Sequence, residues 1–409
     1  MEKSGNHTDL RCDVAIIGGG IAGLWLLNRL VKAGYNAVLL EQTALGGDQT
    51  AASQGMIHGG IKYTLSGNIT GASEAIADMP DHWRACLAGE GDVDLRGAAI
   101  LSDHFYLWSS SSALSRMTTF LASKATRGRV NKVAKKDRPA IFQHSAFKGG
   151  LYQLVDMVLD VPTVVKALTD NCCAGRIFQI DWQQARWLRN SDRSAAINFE
   201  YDQQTRRLDA RQFVLTGGQG NEAMLNELGI TAPQMQRRPL HQVMIKHHYP
   251  HRFYGHCLGA ETTPRLTISS HPCADGAQVW YLGGSLAEKG VNQSAEQLIG
   301  AARQELSTLM PWIDLGNAQW ATLRVDRAEP RQRNFARPDK AFVSRADNCP
   351  NVMVAWPTKL TLTPNLADEA IALIQEQSLL QPSAEPIPEL GFLGHPPLAP
   401  TPWHTVFGE

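Results

Sequence analysis

Gly18, Gly20 and Gly23 fall in the spacing G-x-G-x-x-G, and a carboxylate, Glu41, closes the segment that follows. Residues of these types in this order bind a dinucleotide. The first glycine allows a tight turn, the second lets backbone N–H groups approach a pyrophosphate, and the third lets a helix pack closely on the preceding strand. Ile21 and Ala22 complete the loop, so that the diphosphate sits at the positive end of a helix. Glu41 can accept both ribose hydroxyls, and its charge repels a 2′-phosphate, which argues against NADP. The elements that must position these groups are legible beside them. Val14 to Ile17 is an apolar run of buried-strand character, and Leu24, Leu27, Leu30 and Val31 give the following helix an apolar stripe. Gly34 can end that helix, and Ala37 to Leu40 supplies a second strand leading into Glu41 and Gln42. Leu27 stands where such helices often carry a small residue, which calls for looser packing there.

Later segments read as parts of the same sheet-and-helix system. Leu159 to Leu168 has Pro162 near a helix start, and Ile177 to Ile180 can return as a strand. Arg211 to Leu215 reads as a strand running into Thr216-Gly217-Gly218, with a helix after it that stops at Gly229. Asn351 to Trp356 reads as a strand and Leu366 to Ile374 as a helix. By contrast, Gln242 to His247 and Gln278 to Leu282 alternate apolar and polar residues, the pattern of antiparallel strands in a second, substrate-facing domain. Residues 381–409 hold seven of the 21 prolines, too many for a unit that packs alone, so this tail either wraps the surface or binds a protein partner.

The chain has 409 residues, enough for two domains, and 39 basic residues balance 39 acidic ones. No global charge steers it to nucleic acid or membrane, so a charged partner must be met by a local patch. Met1 to Arg11 lacks the apolar core of a signal peptide, and no apolar run is long enough to cross a bilayer; the expected location is cytoplasmic. Seven cysteines without a C-x-x-C pair make neither a disulfide framework nor a zinc pattern, and the adjacent Cys172 and Cys173 are expected to be reduced.

These motifs resemble a superfamily of FAD-dependent oxidoreductases that includes D-amino acid oxidase, glycine oxidase, 2-hydroxyglutarate dehydrogenase and glycerol-3-phosphate dehydrogenase. The run Ser53-Gln54-Gly55-Met56-Ile57-His58-Gly59-Gly60-Ile61-Lys62-Tyr63 looks like the second flavin-contacting segment, and its His-Gly-Gly-aliphatic-basic-Tyr form is closest to the glycerol-3-phosphate dehydrogenase branch. Thr216-Gly217-Gly218 resembles the strand-turn over the adenosine half. Trp280 to Ser285 resembles a substrate-domain strand ending in a glycine pair, and Thr358-Lys359-Leu360-Thr361 resembles the turn that approaches the flavin pyrimidine ring. The resemblance implies FAD as cofactor and an α/β fold: a Rossmann-like FAD-binding domain (GR2-type) with a second, mainly antiparallel-sheet substrate domain. The discontinuous FAD-binding domain would take residues 1–80, 150–225 and 340–380, and the substrate or cap domain 81–149 and 226–339. Trp356 and Pro357 depart from the glycine-rich turn usual in the family, and the large C-terminal domain of glycerol-3-phosphate dehydrogenases is replaced by the tail.

Within that family frame, flavin oxidation of a C–H bond needs a hydride acceptor, a base, and positive charge near the flavin N1 and O2 positions. Lys359 is the candidate for the charge. His58, set before two glycines, can orient the isoalloxazine, act as base or attach the flavin covalently; Tyr63 can hold a substrate oxygen and Lys62 an anionic group. Among Arg324, Arg327, Arg331, Arg333 and Arg337, the expected anchors for a carboxylate or phosphate are Arg324, near the chemistry, and Arg327. His241 and Gln242 begin a strand where related enzymes place a polar active-site residue. The histidines at 247, 248, 251 and 256 match no metal spacing and have no acidic ligand among them, so no metal is expected. The basic stretch Lys124 to Arg138 reads as a solvated face, with attraction to anionic headgroups at the inner membrane face as the functional alternative; nucleic acid is not expected, for want of an aromatic platform. The leading expectation is hydride removal from the secondary alcohol carbon of a small anionic substrate such as a glycerol phosphate or 2-hydroxy acid, with a quinone or oxygen as electron acceptor. The alternatives are an amine or amino acid oxidase and an FAD-bearing non-catalytic subunit.

Overall fold

The computed structural model describes residues 8–60, 76–110, 130–172, 175–259, 261, 263–376, 382–383 and 386–408. Among the described residues two large sheets dominate. The first is built around strand Thr8–Ile17, which pairs in parallel with Ala37–Glu41 on one side and Gln204–Leu215 on the other. Ile177–Gln179 extends it beyond Ala37–Glu41, again in parallel. Gln204–Leu215 changes partner along its outer edge: its first half pairs antiparallel with Ala195–Tyr201, and Phe213 to Leu215 pair in parallel with Val352–Trp356. Val14, Ala15 and Ile16 are fully buried, as strands covered on both faces must be. This is the Rossmann-like α/β arrangement.

Helix Ile21–Lys32 lies on this sheet with Leu24, Trp25, Leu26, Leu27 and Leu30 fully buried. Leu27 is accommodated in the core it shares with Val14, Ile16 and the helix Thr363–Glu376. Trp25 meets Trp83 of helix Met79–Ala88 with ring centroids 4.7 Å apart. That helix falls in the stretch assigned to the cap from the sequence, yet its buried residues join the core of the nucleotide-binding sheet. Leu159 ends a short strand, Met157–Leu159, rather than starting a helix; the helix runs Val161–Asp170 with Pro162 in its first turn.

The second sheet runs Gln319–Pro330, Met235–His247, Gln278–Gly283, Leu266–Pro272, Gly255–Leu258, Phe105–Ser109, Leu151–Leu154 and Val130–Lys132 in spatial order. Its pairings are antiparallel except that of Gly255–Leu258 with Phe105–Ser109. The C-terminal tail lies on the protein's own surface. Asn36 donates to the Pro386 carbonyl (2.7 Å), Leu390 is fully buried, and Leu45 exchanges backbone hydrogen bonds with Pro397 and Ala399 (2.8 and 2.9 Å). A last short helix, Pro402–Phe407, then sets Trp403 against the second sheet. Among the described residues no helix is long and apolar enough to cross a membrane.

Candidate active site

A cavity of about 590 Å³ opens between the two sheets, within the size range of small-molecule sites. At one end is the glycine loop. Gly18 has φ +116°, and a Cβ on it would lie 2.6 Å from the Gly217 nitrogen; the loop therefore presses directly on Thr216-Gly217. Thr216 locks the approach, donating from its backbone to the Ile17 carbonyl (2.8 Å) and from its hydroxyl to the Gly18 carbonyl (2.9 Å). A Cβ on Gly23 would stand 2.0 Å from that same Gly18 carbonyl. The Ile21 N–H at the helix start donates to Thr50 Oγ1 (3.1 Å). Glu41 lines the cavity with its carboxylate pre-set: Gly19 N–H donates to Oε2 (2.6 Å), while the Thr43 N–H and hydroxyl donate to Oε1 (2.8 and 3.1 Å). Ile21, Ala22, Gln42, Ser53, Gln54 and Gly55 continue the same wall.

The far end is assembled from three distant segments. Strand Val352–Trp356 delivers the turn Thr358-Lys359-Leu360-Thr361 to the cavity. The fully buried Trp356 donates from Nε1 to the Gly218 carbonyl (3.1 Å), so the residue that departs from the family pattern braces the opposite loop. The Thr361 hydroxyl oxygen accepts from His58 N–H (3.0 Å), which ties this turn to the segment around Gly55. His58 Nδ1 lies 3.0 Å from Asp156 Oδ2, and Asp156 Oδ1 accepts from Gly59 N–H (2.9 Å). Lys359 donates to the Asp339 carbonyl (3.2 Å); burial, helped by the charge of Arg337, pulls its ammonium down to about 8.

The second sheet supplies the third wall through Arg238, Leu240 and Gln242 on one strand and Val325 and Arg327 on its neighbour. Glu329 holds Arg238 by two hydrogen bonds (2.6 and 2.8 Å). Arg327 donates from Nε to the Arg238 carbonyl (3.2 Å), and no carboxylate engages its fork among the described residues. Burial, then the Arg238 charge, lowers it to about 10, so it remains a cation at neutral pH.

Strand geometry separates the expected residues into two sets. Side chains alternate faces along a strand, so with Gln242 and Arg327 turned to the cavity, their neighbours His241 and Arg324 face away. His241 Nδ1 lies 3.1 Å from the Gly290 carbonyl, and Arg324 donates to the carbonyls of Val291 and Gln293 (2.8 Å each). These two, paired across the strands, hold a neighbouring turn and are corrected from catalytic and substrate-binding candidates to structural residues. Gly23 lies beneath the loop and acts through packing. Lys62, Tyr63, Cys173, Lys124, Arg127 and Arg129 lie outside the described residues. The site also uses residues the sequence did not single out, Thr50, Asp156 and Arg238, and of the two arginines that could match the family's Arg-Pro-Asp turn, Arg337 and not Arg324 lines the cavity. Asp156 had one signal, a lone acid inside the apolar run from Leu154 to Leu159. His247, one of the clustered histidines, is buried on Trp280 (ring centroids 4.7 Å apart), which pushes it down to about 4. Elsewhere, His82, Cys86 and Asp92 lie close together, but Asp92 also receives hydrogen bonds from Arg29 and Trp25.

The model of the family described as FAD dependent oxidoreductase matches residues 13–361 of this chain. The chain belongs to that family. It is 47% identical over 403 residues to a probable FAD-dependent oxidoreductase of Pseudomonas aeruginosa, covering 97% of this chain and 99% of that protein. The crystal structure of that Pseudomonas protein superposes with a TM-score of 0.82 at 43% identity, over 98% of this chain and 99% of the other. Glycine oxidase from Geobacillus kaustophilus (TM-score 0.64, 14% identity, 92% and 97% coverage) and L-alpha-glycerophosphate oxidase from Mycoplasma pneumoniae (0.61, 12%, 95% and 99%) share the fold. The cavity of this oxidoreductase fits FAD on its own features: a glycine loop at its end packed so closely at Gly18 and Gly23 that neither admits a Cβ, a carboxylate held ready at Glu41, and a space continuous from there to Lys359. Gly18, Gly20, Ile21 and Ala22 would hold the diphosphate, Glu41 the ribose, and Thr358 to Thr361 with Ser53 to Gly55 the ring system. The non-catalytic alternative falls with the family assignment.

Proposed function

We propose that this flavoprotein oxidises the secondary alcohol carbon of a small anionic hydroxy compound of the 2-hydroxy acid or glycerol phosphate type. One observation carries the reading. Of the charged residues lining the cavity, the acids are Glu41, at the end of the second strand, and Asp48, in the loop after it, whereas Arg238, Arg327, Arg337 and Lys359 are all cationic. Arg238 is paired with Glu329, and cations still outnumber acids along the lining, which favours an anion and penalises an ammonium group. Bound FAD supplies the hydride acceptor. Arg327 grips the carboxylate or phosphate with its fork. His58, its Nδ1 3.0 Å from Asp156 Oδ2, is oriented by that carboxylate in the cavity wall and serves as base for the substrate hydroxyl.

The test is anaerobic addition of glycerol 3-phosphate, 2-hydroxy acids and amino acids to the purified holoprotein while the flavin band is followed. Bleaching by a hydroxy compound is the expected result; bleaching by amines alone would move the assignment to the amine oxidases. Reoxidation of the bleached protein by oxygen or by a soluble quinone then identifies the acceptor class.

A pH dependence follows from the Lys359 ammonium. It is charged below about 8 and neutral above, so affinity for an anionic substrate or inhibitor falls as pH rises through that value, by about tenfold for the loss of one charge-assisted contact. Lys359→Met removes the step from the pH profile of KM; a step of undiminished size in the variant excludes Lys359 as its origin.

A further inference from the structure

The tail helix places Trp403 on the face of the second sheet that carries Gln242. Its ring lies 4.5 Å from that of His271 and 6.4 Å from that of Tyr281, and Trp403 is only 5% exposed. Beneath it runs a directional chain. Gln54, in the cavity wall, donates from Nε2 to Ser269 Oγ (3.1 Å) and to the Tyr281 carbonyl (2.7 Å). Ser269 Oγ lies 2.9 Å from His271 Nε2. A serine has one hydroxyl proton. Gln54 takes one of its two lone pairs, so towards a neutral His271 it can donate or accept, whereas towards an imidazolium it can only accept. A second link leaves the same patch, since the Tyr281 hydroxyl bridges the Ala52 carbonyl (3.0 Å) and the Gln242 amide (2.8 Å), both groups of cavity-lining residues.

We infer that Trp403 is a positioning residue of the flavin site: by covering His271 it keeps that ring neutral within the Gln54–Ser269–His271 chain and so holds the Gln54 amide in the cavity wall. Burial holds His271 down to about 3, and no charged neighbour contributes to that shift. The titratable groups around it are Tyr281, itself pushed up by burial, Cys273 beside the same cluster, and exposed His404 next to Trp403 on the tail; Val279 and Met244 complete its surroundings, and the Lys246–Asp275 ion pair is formed by residues further along these strands. Without the indole, water reaches His271 and its protonation returns toward the ordinary histidine range. An imidazolium must donate from Nε2. Ser269 must then accept from His271 as well as from Gln54 and turn its own proton aside, which shifts the hydroxyl on which the Gln54 amide rests.

The experiment is a pH titration of the holoprotein between pH 8 and 5, reading the visible flavin spectrum and the FAD dissociation constant. Wild type and Trp403→Phe are expected to show no transition attributable to His271. Trp403→Ala acquires a one-proton transition near pH 6, with FAD bound at least tenfold more weakly on the acid side, and the double variant W403A/H271N loses that transition. A flat W403A profile, or a transition that persists in the double variant, overturns the inference. Should W403A fail to fold, histidine 15N NMR of the wild-type holoprotein decides: His271 must stay neutral down to pH 5, and protonation above that value overturns the proposal.

Discussion

Replacing Gly23 with alanine is expected to give a protein that purifies without its yellow colour. The added methyl would sit 2.0 Å from the Gly18 carbonyl and 2.8 Å from Thr216 Oγ1, and these two atoms are hydrogen-bonded to each other. Neither can retreat without disturbing the parallel pairing of Thr8–Ile17 with Gln204–Leu215. The helix must instead lift off the strand, carrying away the N–H groups that face the diphosphate. Overpacking of this kind costs about 1–3 kcal/mol in the protein alone, and the lost phosphate contacts add to it, so FAD affinity should fall about 1000-fold, since each 1.4 kcal/mol is tenfold. The FAD-to-protein ratio after gel filtration reads the effect. Gly300→Ala, in the helix Ala295–Leu309 outside the cavity lining and where a Cβ meets nothing within 4 Å, is the matched control. A G23A protein that holds FAD like wild type would contradict the placement of the diphosphate.

Arg327→Met is expected to lower kcat/KM for the anionic substrate by about 30- to 1000-fold, the range for removing one partner of a desolvated charge pair at 2–4 kcal/mol. Arg324→Met, three residues away on the opposite face, should change it by no more than about twofold, within the small effect usual for surface positions. The stability of the two variants should run the other way. Arg327 is half-buried beside another guanidinium with no carboxylate on its fork, so removing it relieves desolvation and leaves Tm unchanged or higher. Arg324 satisfies two carbonyls, and its loss lowers Tm. A destabilised R327M with normal kcat/KM would assign the residue to structure instead of binding. Arg327→Lys should recover only part of the activity, because an ammonium keeps the charge without the fork.

The contrast between positions 324 and 327 shows where sequence reading ran out. The glycine loop was legible because its whole function is local: strand, turn, helix and acid lie within Val14 to Glu41, and each glycine is explained by a neighbour nearby in sequence or by Thr216 and Gly217 on the adjoining strand. In Gln319–Pro330, however, charges stand on both faces at Arg324, Asp326, Arg327 and Glu329, so the alternation that normally reveals a strand's orientation is absent. His241 and Gln242 present the same ambiguity. Asp156 reaches His58 across 98 positions, a pairing that no local pattern encodes. The tail misleads by composition: its prolines describe a segment unable to build a core, and it has none of its own, since Leu390 and Trp403 occupy clusters formed by other elements.

The partner change along Gln204–Leu215 has a consequence in time. A ribosome extends a chain at about 5–20 residues per second, so roughly 20 to 60 s separate the emergence of the glycine loop from that of Val352–Trp356, the strand that completes the edge at Phe213 to Leu215. Throughout that interval the first helix and its loop exist without the turn at Lys359, without Trp356 under Gly218, and without the tail paired to Leu45. The complete cavity therefore exists only once this late segment has emerged, and a polypeptide interrupted before position 352 carries the binding fingerprint with an open sheet edge and nothing to close it over the flavin.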